Sequence, residues 1–352
     1  MAVWFTRLWL RLTGRTAQPQ FPHLYWLFSS AWLCQAAYVA ARLDIAEKLR
    51  QRPLSVEELA EQCNVRTIPL MQVLRALAGF GIFAEKKGKI HLNSKARPLL
   101  TDDPHSVHDY ALLWGEQLYP AASRLLEQVR SGVPAFETQF GKPIWQHYEE
   151  DAQHSNTFDQ FMSSATDAHN RFITEALDCS SFHCVIDIGG GRGSLISAVL
   201  NSNRHLQGVW FDRPELKDAA QARLASDELS DRCRLETGSF LEGVPSNGDL
   251  YLLKHVLHDW PDESAQAILQ NIAAVMSENA TLVIVEAVLA TDNNRDGLCK
   301  LRDLEQMLWT GGRVRTESEF RRLLENAGLV ISHILPTPIV DVRLILTRRR
   351  KS

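Results

Sequence analysis

Apolar residues recur at helical spacing through the first hundred residues and then give way to a short pair of strands. The segments AAYVAARLDIAEKL and IPLMQVLRALAGFG each place apolar side chains on one helical face. Between these two segments, Ser55 is followed three residues later by Glu58, which predicts a capping box at the start of a further helix. IFAEKKGKIHL predicts a hairpin that turns at Lys87 and Gly88. Three helices followed by a hairpin predict a winged-helix-like domain over residues 1–105.

The pattern changes again beyond residue 105. Residues 106–180 are predicted to form further helices, one of them within SNTFDQFMSSATDAHNRFITEAL. From residue 181 the apolar runs CVIDI, GVWFD, DLYLLKHV and ATLVIVEAVL alternate with helical segments. This alternation predicts a doubly wound, Rossmann-like parallel sheet over residues 181–352, closed by the strand pair ISHILP and VRLILTRR. The predicted fold class is α/β with an N-terminal helical domain.

The composition is that of a globular protein. Of the 352 residues, 45% are apolar and 23% are charged. The formal net charge of -4 provides no attraction to nucleic acid or to anionic membranes. The six cysteines are scattered and form no C-x-x-C pair, so neither a disulfide framework nor a metal cluster is expected. This favours a reducing, cytoplasmic location.

Two segments near the N-terminus carry apolar side chains that need a partner. The first 15 residues are basic and amphipathic, with Arg7, Arg11 and Arg15 among Trp and Leu. Such a segment either lies on a membrane surface or packs on a partner subunit as a helical arm, and we expect the arm. Residues 24–41 carry no charge over a length close to the bilayer minimum, but Ser29, Ser30 and Gln35 dilute the apolar run and no other such segment exists, so a buried interface helix is favoured over a membrane span. A homodimer formed through the N-terminal helices is therefore predicted.

A glycine loop between a strand and a helix is the sharpest feature of the sequence. In VIDIGGGRGS the residues Gly189, Gly191 and Gly193 form G-x-G-x-G, whereas the dinucleotide fingerprint is G-x-G-x-x-G. Asp187, ahead of the loop, suits a ligand with a cationic amino-acid end better than a pyrophosphate. Asp212, about twenty residues further on at the end of GVWFD, can accept both hydroxyls of a ribose. The alternative, a plain tight turn, does not account for the two carboxylates.

Two histidines stand in the run LLKHVLHDW, at the predicted carboxyl end of the fourth strand. Open α/β sheets bind ligands at this edge. An imidazole there could take the proton from a phenol and make it a good nucleophile. His255 lies inside the strand-to-helix bend and is expected to be structural, whereas His258 lies beyond it and could face the cleft. His255, His258 and Asp259 could also suggest a metal site, but no further clustered ligand is evident, so no metal is predicted.

The segments VIDIGGGRGSL, FDRPEL, LLKHVLHDWPDE and GGRVRT resemble the family of small-molecule O-methyltransferases. That family includes plant caffeate and flavonoid enzymes, acetylserotonin methyltransferase and bacterial antibiotic-tailoring enzymes. The likeness covers nearly the whole chain, and AAYVAARLDIAEKL resembles the family's dimerisation domain. It implies S-adenosylmethionine as cofactor and a methyl transfer to an oxygen of a small aromatic or polyketide-like substrate.

The resemblance also implies a set of cofactor contacts. The residues are Thr166, Asp187, Gly189, Gly191, Asp212, Ser239, Phe240 and Lys254. Asp187 and Gly189 would hold the methionine end and Asp212 the ribose. Ser239 and Phe240 would flank the adenine. Since the family often has an aspartate in place of Ser239, a weaker contact to the adenine amine is expected.

For the chemistry, the resemblance implies that His258 is the general base and that Glu286 orients its ring. Many members have a glutamate in GG-x-E-R-T, where this chain has Val314, so Glu286 would hold the imidazole alone. Because Val314 departs from the family pattern, an alternative hypothesis stays open, in which the methyltransferase fold uses the cofactor for decarboxylation, hydroxylation or pericyclic chemistry. His258 favours methyl transfer.

The predicted substrate pocket is partly polar. Gln306 stands where the family commonly has a methionine, and Gln306 together with Glu305 suggests a polar group on the substrate. The alternative is that this helix simply faces solvent. Phe158, Met162 and Trp309 are predicted pocket walls that could equally be plain core.

The N-terminal domain suggests a third hypothesis, a DNA-binding regulator that senses a ligand. Such a domain needs a basic recognition helix to meet phosphates. PLMQVLRALAGFG carries a single cation, Arg75, and is otherwise apolar. We therefore expect it to pack in a dimer and predict no nucleic-acid partner.

Overall fold

A computed structural model of the chain describes residues 23–294, 297–339 and 341–350, without the side chains of His23 and of residues 163–168. The predicted arm with Arg7, Arg11 and Arg15 lies outside the described residues. The described chain forms two compact units, residues 1–120 with 153–161, and residues 121–152 with 162–352. The division of the chain at residues 105 and 180 stays a prediction.

The first unit consists of helices and one hairpin. Its elements are α1 (His23–Arg42), α2 (Ile45–Lys48), α3 (Val56–Cys63), α4 (Thr67–Gly79), β1 (Ala84–Lys86), β2 (Lys89–His91) and α5 (His108–Leu113), followed by a π-helical turn, Trp114–Leu118. The capping box is confirmed, since the Glu58 N–H donates to Ser55 Oγ and the Ser55 N–H to Glu58 Oε2. The antiparallel hairpin β1–β2 is confirmed as well. Buried leucines from α3 and α4, Leu59, Leu74 and Leu77 among them, form the core of this unit.

Helix α1 leaves one group of large apolar side chains exposed to solvent. They are Leu24, Tyr25, Leu27, Phe28 and Trp32. None of the helices in the described ranges is both long and apolar enough to span a membrane. The six cysteines are free thiols. The cytoplasmic location stays a prediction.

The second unit begins with short helices and continues into an α/β sheet. Its helices are α6 (Tyr119–Ala122, which begins in the first unit), α7 (Leu125–Ser131), α8 (Ala135–Phe140), α9 (Ile144–Glu150), α10 (Ala152–Ala176, which runs through both units), α11 (Ser194–Ser202), α12 (Lys217–Ser226), α13 (Asp262–Val275), α14 (Gly297–Trp309) and α15 (Glu317–Asn326). Its strands are β3 (Cys184–Ile188), β4 (Gln207–Asp212), β5 (Cys233–Thr237), β6 (Leu250–Lys254), β7 (Thr281–Leu289), β8 (Arg315–Thr316), β9 (Leu329–Pro336) and β10 (Val342–Arg349).

The sheet has the strand order β5-β4-β3-β6-β7-β10-β9, with β8 paired to β7 outside this path. Strands β3 to β7 run parallel, β10 pairs antiparallel with β7, and β9 closes the sheet antiparallel to β10. The predicted doubly wound sheet and its closing strand pair are confirmed. Arg343 of β10 lies opposite Glu286 of β7 in this register.

Two apolar layers cover the parallel strands, so the central strands β3 and β6 are buried on both faces, while the edge strand β5 is partly exposed. In β3, Ile186 and Ile188 pack in one layer with Ile268 of α13, while Val185 packs in the other with Ile196 of α11. The chain leaves β3 toward β4 on one side, and β6 lies on the other. This reversal of strand order opens a crevice at the carboxyl ends of β3 and β6, the position where such sheets bind ligands.

Candidate active site

The glycine loop connects β3 to α11 with a backbone that excludes larger residues. Gly189 has φ of +70°, and a Cβ there would lie 2.7 Å from a methyl carbon of Val256. A Cβ on Gly190 would lie 2.5 Å from the ring of Trp210 and 3.2 Å from Asp187 Oδ2. The loop therefore brings bare backbone to the crevice and leaves room beside the carboxylate of Asp187.

Asp212, at the end of β4, is tied to this loop. The Gly191 N–H donates to Asp212 Oδ2 and the Arg213 N–H to Oδ1, both at 2.7 Å. Burial raises the pKa of the Asp212 carboxyl, and these two N–H groups act against that rise. Each oxygen keeps a second lone pair. The carboxylate is thus held in place with acceptor capacity left for two hydroxyls of a ribose.

Asp187 is a buried carboxyl with one oxygen that has no protein partner. Its side chain lies in the middle of the unit at 1% exposure, and Oδ2 has no hydrogen-bond partner among the described residues. Burial raises the pKa of Asp187 to about 7, while the charge of Lys254 lowers it and that of Asp212 adds to the rise. An unpaired buried acceptor of this kind destabilises the protein unless a donor occupies the site. The ammonium of a bound amino acid would be such a donor, so the site fits the cofactor's methionine end.

Lys254 ends β6, and its ammonium donates to Asn170 Oδ1 at 2.6 Å. The other end of the Asn170 amide donates to the hydroxyl of Ser194, the first residue of α11. The sequence analysis did not single out Asn170. The available signal was its position on α10, three residues before the buried apolar residue Ile173.

Phe240 lies beside the glycine loop, as expected for a residue that flanks the adenine. One of its ring carbons would be 3.9 Å from a Cβ on Gly189. Its ring packs edge-on against Trp260, with centroids 5.8 Å apart, and Trp260 is stacked on Trp145. Ser239 Oγ accepts the N–H of Leu241 at 3.3 Å. Sequence reasoning quoted Trp260 in its motif but gave it no role.

His258 and Glu286 form the central pair of the site. His258 lies in a short 3-10 turn after β6, and Glu286 lies within β7; both are buried. Nδ1 of His258 is 2.6 Å from Glu286 Oε2, and the His258 N–H donates to Oε1 at 3.3 Å. Since a carboxylate only accepts, Nδ1 carries the hydrogen and Nε2 is left to accept a proton.

The electrostatics of this pair favour the charged imidazole. Burial alone lowers the pKa of His258, but the charges of Glu286 and Asp259 outweigh it and raise the pKa to about 9. The pKa of Glu286 is lowered, because the attraction of His258 and its hydrogen bonds exceeds the effect of burial. The pKa of His258 in the ligand-free protein therefore lies above the ordinary value of an imidazole.

His255 lies closer to the chemistry than its predicted structural role implied. Its φ of +54° is in the left-handed region, and Nδ1 is 3.9 Å from Glu286 Oε2. Burial lowers the pKa of His255 to about 4, so its ring is neutral. Ligand atoms of His255, His258 and Glu286 lie within 4.8 Å of one another. A further potential metal ligand is thus present, contrary to the sequence-based expectation, but 2.6 Å between Nδ1 and Oε2 is a hydrogen bond. Two ligands bound tetrahedrally to zinc at about 2.0–2.1 Å would be wider apart, at about 3.3 Å.

The GGRVRT segment supports the turn that carries His258. A Cβ on Gly312 would lie 2.0 Å from the His258 carbonyl oxygen, so a side chain there would displace the turn. Arg315 is buried, and its guanidinium donates to the carbonyls of Leu257 and Trp260 and to the carboxylate of Asp262. Sequence reasoning included Arg315 in the motif without a role.

Val314, where many relatives of the resembled family have glutamate, is buried against Ala287 and Cys299. Its N–H donates to Asp303 Oδ1 at 2.8 Å. It supplies no polar side chain to the imidazole.

Gln306 points into the protein, so the alternative that this position faces solvent is wrong. Its side chain is 7% exposed, and Oε1 has no hydrogen-bond partner in the described part of the chain. Burial raises the pKa of the neighbouring Glu305. Trp309 is buried and Met162 half-buried in the same unit, whereas Phe158 belongs to the other unit. The side chain of Thr166 lies outside the described residues.

Comparisons with known proteins give the chain its family. The family model described as the O-methyltransferase domain matches residues 123–330, and the O-methyltransferase dimerisation domain matches residues 25–101. A phenazine O-methyltransferase from Lysobacter antibioticus is 34% identical over 334 residues, which are 94% of this chain and 98% of that protein.

Solved structures agree with these matches. The mitomycin 7-O-methyltransferase superposes with a TM-score of 0.89 at 33% identity, covering 93% of this chain and 96% of that one. An O-methyltransferase from neocarzinostatin biosynthesis, solved with S-adenosylmethionine and 2-hydroxy-5-methyl naphthoic acid, gives a TM-score of 0.81 at 27% identity, covering 90% and 95%.

The relatives do not all perform the same reaction. A phenazine-1-carboxylate N-methyltransferase from Pseudomonas aeruginosa is 28% identical over 93% of this chain and 97% of its own length. An aclacinomycin 10-hydroxylase from Streptomyces purpurascens is 29% identical over 84% and 81%. Two domain matches and two relatives above 30% identity nonetheless leave the membership clear: the chain belongs to the O-methyltransferase family, whose enzymes use S-adenosylmethionine.

Proposed function

We propose that this protein transfers the methyl group of S-adenosylmethionine to a hydroxyl oxygen of a small aromatic or polyketide-like metabolite. The observation that carries the proposal is the 2.6 Å bond between His258 Nδ1 and Glu286 Oε2, which leaves Nε2 as a strong base. An amine acceptor can be methylated through its free lone pair, whereas a hydroxyl gains most from a base that removes its proton.

The cofactor would lie across the carboxyl ends of β3, β4 and β6. Asp187 would accept the ammonium of its methionine end and Asp212 the two ribose hydroxyls. Phe240 would flank the adenine, and Ser239 and Lys254 would complete the contacts, with Thr166 as a further predicted one. When bound, S-adenosylmethionine supplies a methyl group on a sulfonium, which is already an excellent leaving group.

The protein's part in the reaction is then to orient the acceptor and to move one proton. His258 Nε2 would take the proton of the acceptor hydroxyl, and the resulting oxygen nucleophile would receive the methyl group that the bound cofactor supplies, with the cofactor's thioether as the leaving group. Glu286 stabilises the imidazolium that results. Orientation within a closed site and proton removal each lower the barrier, the second by about 10²- to 10⁴-fold in rate.

We also propose that the substrate carries a hydrogen-bonding group besides the reacting hydroxyl. Gln306 is a buried amide whose Oε1 has no hydrogen-bond partner among the residues that the structure describes, and a donor on the substrate would satisfy it. Met162, Phe158 and Trp309 stay predicted walls of the pocket.

A second candidate function keeps the cofactor but not the methyl transfer. It is favoured by Val314, an apolar residue that is buried against Ala287 of β7, the strand that carries Glu286, and by the hydroxylase among the relatives. In this case the cofactor would serve decarboxylation, hydroxylation or pericyclic chemistry. The intact His258–Glu286 pair favours the first function.

The family's dimerisation domain supports a homodimer. We propose that α1 provides the contact, because its exposed apolar side chains would be costly to leave in water. No nucleic-acid partner is proposed.

The function is tested with methyl-labelled cofactor and acceptors offered in matched pairs, such as a naphthol and the corresponding naphthylamine, with a hydroxynaphthoate and a phenazine alongside. We expect labelled ether product from the hydroxyl member. His258→Ala should lower the turnover by about 10²- to 10⁴-fold and leave affinity for S-adenosylhomocysteine unchanged. Transfer to the amine alone would refute O-methylation, and acceptor conversion without label transfer would favour the second candidate.

A further inference from the structure

Asn170 joins three elements that surround the proposed cofactor site. It lies on α10 with 3% of its side chain exposed. Its Oδ1 accepts from the Lys254 ammonium at the end of β6, and its Nδ2 donates to Ser194 Oγ at the start of α11. The buried amide thus forms hydrogen bonds through both its oxygen and its nitrogen, and the loss of either bond leaves a buried polar group unsatisfied.

Lys254, which Asn170 contacts, is a flexible cation close to the proposed site for the cofactor's methionine end, where the position of a positive charge matters. Lys254 has a four-carbon stem and an ammonium that can donate in several directions. Its charge acts on Asp187, on His169 and on His255, and lowers the pKa of each. Its ammonium nevertheless contacts the neutral amide of Asn170, and Asp187 Oδ2 has no hydrogen-bond partner within the described part of the chain.

We propose that Asn170 is a positioning residue of the cofactor site, which fixes the ammonium of Lys254 so that its charge supports Asp187 without occupying Asp187 Oδ2. This inference rests on the proposed function, because it takes Asp187 as the acceptor for the ammonium of the cofactor's methionine end. Without the contact to Asn170, the lysine ammonium could shift toward Asp187 and compete with the cofactor for that oxygen.

The proposal predicts an effect confined to the amino-acid end of the ligand. S-Adenosylhomocysteine and 5′-methylthioadenosine share the adenosine and the thioether, and only the first carries the amino acid. Asn170→Leu keeps the volume but forms no hydrogen bond. It should lower the affinity for S-adenosylhomocysteine about tenfold or more, as expected when the ligand's ammonium loses its hydrogen bond to the Asp187 carboxylate. The affinity for 5′-methylthioadenosine should stay within about twofold of the wild-type value, which is under about 0.5 kcal/mol.

Two further variants separate the lysine contact from the rest. Asn170→Asp keeps an oxygen acceptor for Lys254 but loses the donor to Ser194, and it should retain S-adenosylhomocysteine binding. In a double-mutant cycle, Asn170→Leu should have little further effect once Lys254→Met has removed the ammonium. Asn203→Leu, at the other end of α11, is the matched control and should bind both ligands as the wild type does.

Calorimetry with both ligands on the full-length protein, after thermal melting has shown that each variant is folded, decides the matter. If Asn170→Leu lowered the affinity for both ligands equally, Asn170 would support the fold of the site as a whole, and this result would overturn the proposal. So would a loss in Asn170→Asp as large as in Asn170→Leu, or additive effects in the cycle. If the leucine variant does not fold, Asn170→Ser, which is too short to reach both partners, takes its place. Failure of the wild type to bind either ligand would instead refute the proposed function.

Discussion

Replacing Glu286 with glutamine should separate the charge of the catalytic pair from its shape. The carboxylate holds His258 through a 2.6 Å bond to Nδ1 and a 3.3 Å bond from the backbone N–H. An amide oxygen can accept the same two hydrogen bonds, but it carries no charge. The variant therefore keeps the ring in place and removes most of the attraction that stabilises the imidazolium.

The size of the effect follows from the pKa of His258, which its charged neighbours raise from the ordinary imidazole value of about 6.5 to about 9. A difference of this size corresponds to about 3 kcal/mol in favour of the charged ring. At pH 7 roughly one free protein in a hundred then carries a neutral imidazole. In Glu286→Gln the burial that lowers the pKa remains, so the pKa of His258 should fall to 6.5 or below.

The assay is single-turnover methylation from pH about 5.5 to about 10, with a phenol whose own pKa lies above about 9 so that it needs a base. The rate should rise with pH as His258 loses its proton. In Glu286→Gln this rise should move to lower pH by about two units or more, and the plateau should fall about tenfold because the imidazole is a weaker base. A bound sulfonium lowers the imidazole pKa in both proteins, so the difference between the two profiles is the test.

The attraction between His258 and Glu286 should also make the stability of the folded protein depend on pH. A group whose pKa is raised in the folded protein contributes stability that is present below its unfolded pKa and lost as pH rises through its folded pKa. The melting-temperature difference between wild type and Glu286→Gln should therefore be largest near pH 6 and shrink toward pH 9. Superimposable rate profiles, or a melting difference that grows with pH, would refute the reasoning.

Three further predictions concern other parts of the molecule. Asp212→Ala removes the acceptor for two ribose hydroxyls and should weaken S-adenosylhomocysteine at least about tenfold by calorimetry; unchanged affinity would contradict the ribose assignment. Gln306→Met removes a buried acceptor without a partner, so thermal melting should show a more stable protein by about 1–3 kcal/mol, while kcat/KM falls for an acceptor with a polar substituent. Phe28→Ser combined with Trp32→Ser should yield monomers by light scattering, and an intact dimer would place the interface elsewhere.

Much of the fold could be predicted because its signals are local. CVIDI and GVWFD are short apolar runs bounded by glycine and by charge, and their alternation with helices fixes a parallel sheet. Because parallel strands share a carboxyl edge, Asp187, Asp212 and His258 could be assigned to one crevice before any coordinates were known. CRLET, with its alternating charges, was not predicted as a strand, although it forms the edge strand β5.

What sequence reasoning missed depends on contacts between distant segments. Asn170 and Lys254 are 84 residues apart, and nothing in DAHNRF indicates that its asparagine meets a lysine. Arg315 lies 58 residues beyond the carbonyl of Leu257 that it binds, so its part in holding the turn emerges only from packing. The left-handed backbone conformation of His255 could not be predicted from the sequence either, and it brings a second imidazole close to Glu286.

The register of the last strand has a consequence for biosynthesis. Glu286 lies on β7 directly opposite Arg343 of β10, and β10 follows every other strand of the sheet in chain order. While the chain emerges from the ribosome, residues 282–287 of β7 therefore lack their antiparallel neighbour until the segment Val342–Arg349 is made, long after both members of the catalytic pair have been synthesised. The nascent protein should acquire a locked His258–Glu286 pair only in this final step, so a ribosome stalled before residue 342 would hold a chain that contains every proposed catalytic residue and yet lacks an assembled site.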